Sequence, residues 1–186
     1  RGDPMSIMHT LISSRAMALA ALYEDCPPWP ADTAFADRDI TIGTQSLTTL
    51  AAQRGTPCVL IAPSSASALG EEYRTVIVTT ILARTSRRGL RHPLELTVDC
   101  DLAALDSRVL DVLPLQCPNA RHRKTTLLRS PHTQTAIRVL LPQTCAPGDL
   151  LALTCEGTIA LGQITSHPTR IHPGSDDEEW QGRCLK

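Results

Sequence analysis

Apolar and polar positions alternate along most of the second half of this chain, and the alternation is strand-like. Residues 75–83 read Thr-Val-Ile-Val-Thr-Thr-Ile-Leu-Ala, seven of the nine β-branched. Such a run predicts a strand buried on both faces. Residues 94–100 read Leu-Glu-Leu-Thr-Val-Asp-Cys, a strict alternation that predicts a half-buried strand. Between them lies a segment with four arginines and a histidine, so the pair reads as a β-hairpin with a long cationic loop.

The pattern elsewhere is shorter in period. Residues 39–50 alternate weakly, and 57–62 form a short apolar run. Thr133, Thr135, Ile137, Val139 and Leu141 share one strand face. Residues 150–155 and 158–164 flank Glu156-Gly157, which predicts a two-residue hairpin. Residues 101–116 fit a helical turn followed by either a strand or a second helix. The whole predicts a mainly β protein, a barrel or sandwich of about eight or nine strands. There is no βαβ alternation, which argues against a dinucleotide-type fold.

Helical spacing is confined to the start. Met8, Leu11, Ile12, Leu19 and Leu22 recur on one face, Asp3 and Pro4 suit the first turn, and Pro27-Pro28 ends the element. The resulting division is a vector remnant or processed end at 1–4, an N-terminal amphipathic helix at 5–25, and a Pro-rich connector at 26–37. A single β domain at 38–165 and an acidic C-terminal tail at 166–186 follow. The tail carries Asp176-Asp-Glu-Glu179. Residues 5–24, with Arg15, several serines and no acid before Glu24, also match an organellar presequence. Trp29, within the connector, reads as an anchor on the domain surface.

Composition narrows the chemistry. Aromatic residues make up 3% of the 186, so the core must be aliphatic. Seven cysteines, at 26, 58, 100, 117, 145, 155 and 184, include no Cys-x-x-Cys pair and mostly lie in apolar runs. They read as small hydrophobes in a reducing, intracellular compartment, with a virion or organelle as alternatives. The spacing of Cys117, His122, His132 and Cys145 lacks the paired ligands of a zinc site. No Gly-rich phosphate loop or nucleophile elbow occurs, and no cofactor or metal is implied. The carboxylates Asp99, Asp101 and Asp106 suit a solvated strand end and a helix cap better than a cation site or an acid/base pair. No run of 18 apolar residues is present, so no membrane partner is expected.

Charge is the positive signal. The net charge is −1, yet residues 84–138 carry ten basic and five acidic side chains, whereas both flanking stretches are acidic. Arg84, Arg87, Arg88 and Arg91 share one loop, and Arg121, Arg123 and Lys124 share another. Arginine outnumbers lysine sixteen to two, and guanidinium groups favour bidentate contact with phosphate and carboxylate. The expected function is therefore non-enzymatic: a structural or assembly module whose Arg-rich face binds a polyanion. The partner would be nucleic acid or an acidic protein surface, with self-association or a place in a larger viral or organellar particle. The near-absence of stacking aromatics favours backbone contact over base reading.

Residues 76–96, with Thr85-Ser86 and His92-Pro93 in order, resemble the MazF/PemK family of small toxin ribonucleases. There a Val/Ile strand ends in Thr-Ser and a basic turn leads into a Pro-containing strand, with 107–116 as the next strand. The resemblance implies an endoribonuclease acting at the 84–92 loop. Thr85 or Ser86 would assist phosphoryl chemistry, and Arg84 or Arg87 would stabilise developing charge. The chain departs from that pattern at Thr56-Pro57, where Arg-Pro would stand, and in the β-patterned 133–164, where a helix would follow.

Overall fold

A thirteen-residue strand, β5 (Tyr73–Thr85), runs through the centre of the protein. The structure, a computed structural model, describes residues 28–36, 38–64, 72–86, 93–105, 108–115 and 123–165. The N-terminal helix, the acidic tail and residues 87–92 and 116–122 of the basic loops lie outside the described residues.

Ten strands and two short helices occur among the described residues. In chain order they are β1 (Thr33–Phe35), β2 (Ile40–Ile42), β3 (Gln45–Ser46), α1 (Leu47–Arg54), β4 (Cys58–Pro63), β5, β6 (Leu94–Val98), β7 (Val109–Pro114), β8 (Arg123–Arg129), β9 (Ala136–Pro142), β10 (Leu150–Glu156) and α2 (Leu161–Ile164). The protein is mainly β. Seven strands form one sheet in the order β7-β10-β5-β6-β8-β9, with β4 also paired to β5. The end strands β7 and β9 approach each other without pairing, so the sheet curls into a nearly closed barrel. All pairings are antiparallel except β6 with β8.

The predicted β5–β6 pairing is present, and β5 is buried on both faces from Arg74 to Thr79 for a structural reason, whereas Leu82 and Ala83, expected inside, are exposed. Ile77 and Ile81 point into the barrel with Leu96, Val98, Leu128, Leu151 and Leu153. Val76 and Val78 point outward into a second core. That outer core is closed by Trp29, from the segment before β1, by Ile40 and Ile42 on β2, and by Leu47 and Leu50 on α1. The barrel wall is thus a layer between two apolar fillings, which requires β-branched residues on both faces of β5. Each fully buried aliphatic side chain contributes roughly 1.5–3 kcal/mol relative to exposure.

Trp29 is a core residue and not a surface anchor. It is 1% exposed, meets Phe35 edge-on at 5.7 Å, and its indole Nε1 donates to Asp111 Oδ2 at 2.9 Å. The weakly alternating 39–50 stretch resolves into β2, β3 and then a helix. Ser46 caps α1, its hydroxyl accepting from the Thr49 amide at 3.1 Å, and Leu47, Leu50 and Ala51 bury one face at helical spacing. Gly55, at φ +76°, ends α1 with its amide on Ala51 O.

Within the ambiguous 101–116 stretch, residues 103–105 form a turn and Val109–Pro114 form strand β7. The predicted partner strand at 158–164 is absent. Both edges of β10 are already taken by β5 and β7, so no edge remains for a hairpin return. Instead the chain turns at Gly157, the Thr75 hydroxyl accepts from Ile159 N, and Ile159 and Ile164 plug the barrel end. Among the described residues, no helix is long and apolar enough to cross a membrane.

Candidate functional site

Two regions gather polar side chains, and their chemistry differs. The first lies where β6 takes over the edge of β5 that β4 vacates. Asp99 N donates to Thr80 O at this junction. The Asp99 carboxylate then accepts from Thr56 Oγ1 at 2.5 Å, from Thr80 N at 3.1 Å and from the Thr79 hydroxyl. Asp101 accepts from Ala103 N at 2.9 Å in a tight turn. Both carboxylates fasten backbone and hydroxyl donors, as a strand end and a cap require. Asp106 lies outside the described residues.

The described cysteines are equally committed to structure. Cys58, Cys100, Cys145 and Cys155 are buried free thiols. Burial pushes the Cys100 and Cys155 thiols up to about 12 and raises that of Cys58 as well. A thiol raised this far holds almost no thiolate at neutral pH, so it supplies neither a nucleophile nor a ready metal ligand.

The second region is the end of the barrel where β5 finishes and β6 and β8 begin. Strand register decides what meets there. Arg84 sits level with Leu96 on β6, and Leu96 sits level with Leu128 on β8. Lys124 is four residues before Leu128 on β8. Strand rise and spacing therefore put the Arg84 and Lys124 Cα atoms about 16 Å apart at one end of the sheet. Arg84, Thr85, Ser86, Arg123 and Lys124 are all exposed. Arg87, Arg88, Arg91 and Arg121 lie outside the described residues. Among the described residues the ion pairs are Arg129–Glu95 at 3.3 Å and Arg74–Glu72 at 4.0 Å. Arg84, Arg123 and Lys124 take part in neither.

A cleft of about 290 Å³ opens beside this end, along the seam between β7 and β9. Its walls are residues 109–112 and 137–140, together with Arg123. It contains Arg138, a cation missing from the sequence-derived set. The signal was present: Ile137, Val139 and Leu141 face inward, so the alternation turns Arg138 to the other face.

No family model matches the chain, and no curated protein matches it. Among solved structures it is similar to an arginine decarboxylase of Paramecium bursaria Chlorella virus, at 16% identity and a TM-score of 0.37 over 50% of this chain and 28% of that one. The agmatine-bound form of that enzyme gives the same identity and TM-score over 50% of this chain and 29% of that chain. A lysine/ornithine decarboxylase of Vibrio vulnificus, complexed with cadaverine, is 15% identical at a TM-score of 0.35, over 44% of this chain and 24% of that one. The chain thus spans under a third of these enzymes, and a likeness of this extent carries no argument about activity.

Proposed function

We propose that the protein is a non-enzymatic structural or assembly module that binds a polyanion at the cationic end of its barrel. The observation that supports this reading is the register that sets Arg84 and the pair Arg123 and Lys124 at one sheet end, exposed and outside the described ion pairs. Arg84 stands near the end of β5, and Arg123 and Lys124 open β8, so these three lie on strand ends and not in loops. Cationic residues spread over about 16 Å of the sheet end suit an extended anion. Nucleic acid fits through its backbone, and an acidic subunit surface fits through its carboxylates.

Binding of a mixed-sequence oligonucleotide, measured against salt, tests the reading. Counterion release gives a log–log slope of roughly −0.7 to −0.9 per phosphate neutralised, so six contacts correspond to about −4 to −5. The double substitution Arg84→Ala/Lys124→Ala flattens that slope by ~1.5 units while the fold persists, because exposed strand-end residues carry little stability. An oligonucleotide that fails to bind at low salt, or a slope indifferent to the double substitution, removes nucleic acid as the partner.

A further inference from the structure

Among the described strands, β7 and β9 end the barrel sheet without pairing, and the cleft between them has two kinds of wall. Arg123 and Arg138 bring two positive charges to it, and neither forms an ion pair with another described residue. Asp111, the one carboxylate in the lining, accepts from Trp29 Nε1 at 2.9 Å and from Val112 N at 2.8 Å. It is engaged with the core and the backbone. The opposite character comes from Leu110 and Leu140, which are 43% and 59% exposed at the same cleft.

We propose that this seam cleft binds a compact organic anion, with its phosphate or carboxylate group on Arg123 and Arg138 and its apolar part against Leu110 and Leu140. Two arginines lining one opening create a field that favours anions, and the planar guanidinium fork matches both oxyanion types. The volume lies at the lower limit of about 300–1,000 Å³ typical of small-molecule sites, so a ligand of a few heavy atoms beyond its head group fits and a dinucleotide does not. The exposed leucines are what a bare inorganic ion would leave in water. The seam shares Arg123 with the polyanion-binding end but also needs Arg138 and Leu140, which the extended interface does not use.

Amide-resolved NMR titration of the full chain tests it with three probes: inorganic phosphate, phenyl phosphate and hexanoate. Saturable shifts confined to residues 109–112, 123 and 137–140 are expected with an organic anion. Phenyl phosphate should bind about tenfold more tightly than inorganic phosphate, the gain from covering about 60 Å² of apolar surface. Comparing hexanoate with phenyl phosphate assigns the head group. Arg138→Gln should weaken the organic anions at least about tenfold. Leu140→Ser should erase the preference over inorganic phosphate while leaving anion binding and oligonucleotide affinity unchanged. Equal affinity for phenyl and inorganic phosphate, shifts scattered over the surface, or indifference to Arg138→Gln would overturn the proposal.

Discussion

At the scale of single residues, Asp99 joins three parts of the chain. Its carboxylate holds Thr56, Thr79 and Thr80, which belong to the lead into β4 and to the middle of β5. Asp99→Ala leaves the buried Thr79 hydroxyl and a strand amide without that acceptor, at a cost of about 2–4 kcal/mol. Asp99→Asn keeps one acceptor oxygen and should cost less. Urea titration monitored by circular dichroism separates the two. The buried thiols make a second forecast, of pH dependence. Burial raises the Cys100 and Cys155 thiols from their ordinary 9.0 to about 12 in the folded state. Between those limits the unfolded chain gives up protons that the folded chain retains, so unfolding becomes easier as pH rises. The contribution of these thiols is complete below pH 9 and is lost progressively toward about 12. Thermal melts of Cys100→Ala and Cys155→Ala should therefore decline less steeply over this window than those of the unmodified protein.

At the scale of elements, β5 separates two cores, and its residues answer to face and not to hydrophobicity. Val76 and Ile77 are both fully buried, the first against the outer layer and the second inside the barrel. Val76→Lys and Ile77→Lys each bury a charge with no partner, so neither variant should fold. Leu82, in the same strand, is 51% exposed beside the bulge at Ile81 and Ala83, and Leu82→Lys should change stability by less than about 0.5 kcal/mol. Soluble yield and urea midpoints of the three variants distinguish this two-core arrangement from a sheet with one wet face. For helix α1, Ser46→Ala removes the cap and a 2.5 Å bond to Asp39, a loss of about 1–2 kcal/mol.

At the scale of the whole molecule, charge segregation sets the expectation. A cationic middle between acidic flanks is suited to meeting a second copy in a complementary orientation. Light scattering across concentration and salt checks this: self-association that weakens with salt is the expected outcome of the assembly role. A strict monomer at high concentration and low salt removes homo-assembly and leaves a different acidic partner or nucleic acid.

How far the sequence reached differs between these scales, for physical reasons. Period-two alternation and the β-branched run at 75–83 were enough to determine a mainly β protein, a pairing of β5 with β6, and burial of both faces of β5 over residues 75–79, though not the exposure of Leu82 and Ala83. Alternation reports the face a residue occupies, so it also held the orientation of Arg138. It does not report which strands are neighbours. Only the tertiary structure decided that β10 lies between β5 and β7, which leaves no edge for a return strand after Gly157 and sends Ile159 and Ile164 to plug the barrel. Burial of Trp29 had the same origin, since its partners Phe35, Asp111 and Val76 come from separate stretches. The cleft between β7 and β9 was invisible for that reason too: closure of a sheet depends on curl and register summed over every strand, and no local pattern records that sum.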